Sequence, residues 1–159
     1  MWLVDDFRDF KYMSRLFEND TTHYIGTLAG YDVKKSTDLR SIYYGLFLDD
    51  ELVGYDWLMK FGISNPRLYR GHEFHIADKL KGQGLGTLVY EMIIVTEGII
   101  LVSDATHTVP TAKIWQKLMK KNNLEVGTYD SSIDKLRFGQ PIDIMEVYNN
   151  SHMHFAARA

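Results

Sequence analysis

Three glycines at alternate positions, Gly82, Gly84 and Gly86, stand between the apolar, strand-like stretch FHIADKL and the amphipathic run LGTLVYEMIIV. Glycine permits the tight backbone that a strand-to-helix handover requires. Such a handover presents a row of backbone N–H groups at a helix N-terminus, at the positive end of the helix dipole. That combination suits a phosphate or pyrophosphate group. Two common nucleotide motifs are excluded by spacing. A dinucleotide fingerprint needs G-x-G-x-x-G, and Thr87 occupies the place of the third glycine. A P-loop needs Gly-Lys-Ser/Thr, and Gly86-Thr87 lacks the lysine. Read without a ligand, the same glycines make only a tight turn.

The strand ahead of the glycines carries Arg70, His72, Glu73 and His75. On a regular strand residues 70, 72 and 74 face one way and residues 73 and 75 the other. His72 and His75 then face opposite sides, and no carboxylate is spaced to complete a tetrahedral set, so no metal site is expected. The chain has no cysteine, which removes disulfides, cysteine zinc sites and a thiol nucleophile. A formal net charge of −3 argues against a dedicated nucleic-acid binder, which needs a basic face. MWLVDDFRDF lacks a basic-then-apolar leader, and MIIVTEGIILV is interrupted by Thr96, Glu97 and Gly98. A soluble cytoplasmic protein with no membrane partner is expected.

The 159 residues, 45% of them hydrophobic, predict one α/β domain over residues 1–150 with a frayed tail over 151–159. Phe7, Phe10, Met13 and Phe17 recur at helical spacing behind Asp5 and Asp6. Thr21 to Arg40 reads as a loop or short helical pieces. Ile42–Leu48 and Leu52–Phe61 form a hairpin around Asp49-Asp50-Glu51. Leu68–Ala77 is a strand, the stripe Leu85, Leu88, Val89, Met92 and Ile93 is a helix ended by Gly98, and Ile99–Ser103 is a buried strand of the parallel type. Thr108 and Pro110 start a helix with Ile114, Trp115, Leu118 and Met119 inward. Leu124–Tyr129 and a later strand, Lys135–Phe138 or Ile142–Tyr148, close the sheet.

The run K-G-Q-G-L-G, in this order of elements, resembles the pyrophosphate-binding motif of the GCN5-related N-acetyltransferase (GNAT) superfamily, Arg/Gln-x-x-Gly-x-Gly/Ala. Lys81 stands where Arg or Gln is usual, and Gly84 and Gly86 match directly. The resemblance covers roughly Phe7 to Tyr129. It implies a GNAT-like, mostly antiparallel mixed sheet flanked by helices. It further implies acetyl-CoA as acyl donor and an amine-bearing small molecule, peptide or protein as acceptor. The pyrophosphate is expected on Gly82, Gln83, Gly84, Leu85, Gly86 and Thr87, with Lys81 adding charge. The pantetheine arm is expected along Phe74 to Ala77, with the Ile76 amide polarising the thioester carbonyl and Thr108 replacing the usual Asn. A homodimer is compatible with the resemblance.

The attacking amine must be neutral, so a general base is required. His72 falls where some family members carry a catalytic histidine, with Glu73 as the second candidate; a bland reading makes His72 a surface residue. The usual tyrosine acid falls on Trp115 or Gln116, and neither protonates a thiolate well. The acid is then Tyr129, Ser103 or His107, or the thiolate leaves unprotonated or takes its proton from water, or the protein does not catalyse acyl transfer. His23, Tyr24, Tyr31 and Asp32 fall near the acceptor site that the resemblance implies. Two rival functions stand beside N-acetyl transfer. One is a non-catalytic acyl-CoA-binding or protein-interaction domain. The other is an enzyme using a related acyl or aminoacyl donor on nucleic acid or aminoacyl-tRNA.

Overall fold

A computed structural model describes residues 6–105 and 108–159, the side chains of residues 6–9 excepted. The chain forms two compact units. The first holds residues up to Met59 together with His72–Leu85, the second Lys60–Gly71 together with Gly86–Ala159.

The first unit opens with α1 (Asp6–Arg15). Its strands are β1 (His23–Leu28), β2 (Tyr31–Thr37), β3 (Ser41–Leu48), β4 (Glu51–Lys60, up to Met59) and the C-terminal half of β5 (Leu68–Ile76). β1–β2, β2–β3 and β3–β4 are antiparallel, in the registers Val33↔Leu46, Tyr43↔Trp57 and Gly45↔Tyr55. The β3–β4 turn places Asp49 and Asp50 in the left-handed region, which short polar side chains tolerate. Met13 and Phe17 pack with Tyr43, Phe47, Leu52 and Tyr55, flanked by half-buried Phe10 and Trp57. The helical spacing of Phe10 and Met13 thus corresponds to one packed face, Phe17 joins the same cluster just after α1 ends, and the Phe7 side chain lies outside those described.

Thr21–Arg40 is not a loop with helical pieces but the β1–β2 hairpin, with Ala29 and Gly30 at positive φ in its turn. β2 is buried at Val33 on one face and at Ser36 on the other. The Ser36 hydroxyl donates to the Leu16 carbonyl at 2.7 Å, so a polar residue fills a core position that the apolar pattern cannot reveal.

The second unit holds the N-terminal half of β5, α2 (Leu85–Glu97, from Gly86), β6 (Ile100–Val102) and α3 (Val109–Leu118). It continues through β7 (Glu125–Asp130), β8 (Lys135–Arg137), α4 (Ile144–Asn149) and β9 (Met153–Arg158). β5 and β6 run parallel through Leu68↔Ile100 to Arg70↔Val102. β9 lies between β6 and β7, antiparallel to both. The expected frayed tail is therefore a central strand. Phe155, Ala156 and Ala157 are fully buried, and pairing on both sides removes the freedom that a chain end otherwise has. Of the two candidates for the later strand, Lys135–Arg137 is one, whereas residues 144–149 are helical. Asp143 explains the difference, since its carboxylate accepts from the amides of Met145 and Glu146 as an N-cap. The architecture is mixed α/β, with a large, mostly antiparallel sheet and flanking helices. No described helix is long and apolar enough to cross a membrane.

Asp56, in the middle of β4, is fully buried beside Tyr44, and among the described residues neither carboxylate oxygen has a hydrogen-bond partner. Burial without compensation penalises the charged form, so its pKa is raised well above the carboxylate range. Between the ordinary value and the raised one, the folded state holds a proton that the unfolded state has lost. Stability therefore falls as pH rises through that window, by up to ~1.4 kcal/mol per pH unit. Asp56→Asn, neutral at every pH, is expected to flatten this slope and to be the more stable protein on the alkaline side of the window. Urea unfolding across a pH series checks it, and parallel slopes for the two proteins would contradict it.

Candidate functional site

In the first unit, the C-terminal half of β5 brings His72, Glu73 and His75 against aromatic residues of β4. The His72 ring meets Trp57 edge-on at 4.4 Å between centroids. The Tyr55 hydroxyl donates to Glu73 Oε1 at 2.9 Å, and the His75 ring stacks on Tyr55 at 5.9 Å. Tyr55 and Trp57 alternate on one face of β4, yet the neighbours His72 and Glu73 both reach that face. The strict alternation expected for this strand is broken between them. His72 and Glu73 are exposed, Phe74 and His75 half-buried, and Ile76 buried. An imidazole and a carboxylate, each able to take a proton, therefore lie side by side on an aromatic floor.

After Ile76 the chain is pinned. The Ala77 amide donates to the Val53 carbonyl at 2.9 Å, a 3-10 turn spans Asp78–Leu80, and Leu80 is buried. Gly82 and Gly84 follow at φ +79° and +75°, and a Cβ built on either meets nothing within 4 Å. The space above the turn is open, and the left-handed backbone suits glycine there. α2 starts at Leu85 with no acidic residue in its first turn. Lys81 is exposed and salt-bridged to Asp78 at 2.6 Å, so its charge is shared with a carboxylate.

In the second unit, Thr87 is buried on α2. Thr108 caps α3: its hydroxyl accepts from the Thr111 amide at 3.4 Å and lies 2.8 Å from the Thr111 hydroxyl. Trp115 is 1% exposed and stacks on Phe155, so it is a core residue. Tyr129 donates to Asp134, and burial together with that carboxylate pushes its phenol well above the ordinary range. Held this way it is a weak proton donor. The Ser103 hydroxyl is buried and accepts from the Phe155 amide. His107 lies outside the described residues. Tyr55 and Trp57 are the candidate-site residues that no motif in the sequence marks. Alternation along β4 puts them on one face, but only the pairing partner across the sheet shows what they touch.

No family model and no curated protein matches the chain. Solved structures similar to it include a Bacteroides thetaiotaomicron protein described as an acetyltransferase of the GNAT family. It shares 13% identity and a TM-score of 0.46, over 97% of this chain and 82% of that one. Also similar are the IAA acetyltransferase of Bacillus cereus (15% identity, 75% and 77% of the two chains, TM-score 0.42) and the Bacillus subtilis N-acetyltransferase YlbP in complex with coenzyme A (17%, 79% and 74%, TM-score 0.42). At such scores these likenesses bear no weight for the chemistry.

Gly84→Ala introduces no clash and only backbone strain. It is expected to cost about 1–2 kcal/mol of stability, the price of one left-handed residue. Thermal unfolding checks this; a neutral substitution would show that the turn relaxes out of the left-handed form.

Proposed function

We propose that the protein is an acyl-CoA-dependent N-acyltransferase of the GNAT type, moving acetyl from acetyl-CoA to a primary amine by direct attack in a ternary complex. The observation that carries this reading is the turn Lys81–Gly84. It is left-handed at both glycines, open above them, and leads directly into the N-terminus of α2. Backbone amides at such a place suit a pyrophosphate. In this reading Gly82, Gln83, Gly84 and Leu85, with Gly86 and Thr87 at the start of α2, hold the pyrophosphate. Lys81 exchanges Asp78 for it. Phe74 and Ile76 offer backbone groups to the pantetheine arm, the Ile76 amide acting on the thioester oxygen. Thr108, although engaged as a helix cap, is the side chain proposed to reach the same arm.

His72, exposed and steadied by Trp57, takes a proton from the acceptor ammonium, with Glu73 as the second proton acceptor. The amine lone pair then forms the C–N bond, the C–S bond breaks with its electron pair leaving on sulfur, and the nitrogen gives up its second proton to water to become the neutral amide. The thiolate takes its proton from water, because Trp115 is core and Tyr129 is committed to Asp134. Those same two observations favour the non-catalytic acyl-CoA-binding domain as the second reading.

Acetyl-CoA at about 100 times its dissociation constant is expected to add ~2.7 kcal/mol to folding stability. For a domain of this size that raises the unfolding temperature by a few degrees. No shift at millimolar acetyl-CoA would overturn the reading. Where turnover is observed with an amine library, His72→Ala is expected to lower kcat by roughly 10²–10⁴-fold while keeping the acetyl-CoA shift. Undiminished turnover in that variant would remove the role given to His72, and binding without turnover in the native protein would favour the second reading.

A further inference from the structure

The first unit contains a carboxylate whose surroundings select for positive charge. Glu73 is exposed on β5, and its Oε1 accepts a hydrogen bond from the Tyr55 hydroxyl at 2.9 Å. Tyr55 is 2% exposed and packed in the core, with its ring set edge-on to Phe10 at 6.0 Å and stacked with His75 at 5.9 Å. An exposed glutamate ordinarily samples many rotamers, and this one is tied through a phenol to the hydrophobic core. Its second oxygen is uncommitted: among the described residues no lysine or arginine pairs with Glu73. Aromatic rings continue beside it, Trp57 lying 4.4 Å from His72 and 5.6 Å from Tyr43. Those rings are themselves held, since Trp57 Nε1 donates to Ser41 Oγ and the Tyr43 hydroxyl donates to Asp38.

A fixed, uncompensated carboxylate beside aromatic faces is the chemistry that receives an alkylammonium. The carboxylate supplies a charge-assisted hydrogen bond, and the rings supply an attractive quadrupole with no competing charge. We propose that Tyr55 is a positioning residue that fixes Glu73 as the docking group for a cationic amine acceptor, so that the protein prefers acceptors of net positive charge to zwitterionic or anionic ones. This rests on the acyltransferase reading for what happens to the amine, but not for its binding. The Tyr55 hydroxyl needs an acceptor in any case. If Glu73 served only that need, a glutamine would replace it without consequence for amine binding.

The test is calorimetric titration of the whole chain with cadaverine and with ε-aminocaproate, which match in length and differ in the charge of the far end. The native protein is expected to bind cadaverine about tenfold more tightly or better, the scale of one charge-assisted contact. Glu73→Gln and Tyr55→Phe are both expected to bring the ratio close to one while leaving the acetyl-CoA unfolding shift unchanged. A purely structural role for Tyr55 would weaken both amines alike and keep the ratio. Equal affinities in the native protein, or a ratio untouched by Glu73→Gln, would overturn the proposal. Glu73 is exposed, so that variant serves even if Tyr55→Phe folds poorly. The acetyl-CoA shift separates the two readings. A shift without amine preference removes this inference and leaves the acyltransferase. A preference without a shift removes the acyltransferase and leaves a cationic-amine site.

Discussion

The passage from Ile76 to Leu85 is the constraint on which the proposed chemistry depends. An extended strand has to become a helix there. Buried Ile76 and Leu85 hold the two ends of the crossing, buried Leu80 holds its middle, and the Ala77 amide ties it to the Val53 carbonyl. What remains is a short arc through Lys81–Gly84 in which two residues adopt positive φ. Side chains with a Cβ resist that conformation, so the composition of the arc follows from its geometry. The same geometry leaves its backbone uncovered and sets it at a fixed distance along the chain from His72 and Glu73.

The aromatic face of the first unit performs a second task with the same atoms. Tyr43 and Tyr55 belong to the core that seats Met13 and Phe17, with Trp57 packed at its margin. Their polar ends point to partners: Tyr43 to Asp38, Trp57 to Ser41, Tyr55 to Glu73. Tyrosine and tryptophan can do this because one end is apolar and the other requires a hydrogen bond. Packing thus orients the exposed groups at the surface, and the break in alternation at His72 and Glu73 gathers both on this side.

In the second unit the burial of β9 decides which aromatics can take part in chemistry. Phe155 stacks on Trp115 at 5.7 Å, and the Tyr148 ring meets Phe155 edge-on. Of the two helix positions on which the expected proton donor falls, Trp115 is therefore taken up by packing, and Gln116 is exposed. Tyr129 is withdrawn in a different manner, because a buried phenol donating to Asp134 holds its proton more tightly.

By itself the sequence determined the mixed α/β class, the β3–β4 hairpin, α2 and α3 with their caps, and the glycine turn. These are local: helical or alternating periodicity, a Thr-x-Pro start, glycines between a strand and a helix. Among the several titratable residues ahead of the turn, it singled out His72 and Glu73 through the family resemblance and not by any periodicity. The β1–β2 hairpin escaped it, since Ser36 is buried on a hydrogen bond rather than on apolar surface. β9 escaped it because a strand's place in a sheet depends on pairing with residues far away in the chain. Tyr55 escaped for the same reason. Its partner Glu73 is 18 residues distant, and the register across β4 and β5 is set by the intervening turn and by packing, which leave no periodic trace. Tertiary structure alone decided that Trp115 is core, that Asp56 is buried with no hydrogen-bond partner among the described residues, and that a phenol from β4 aims the carboxylate of β5.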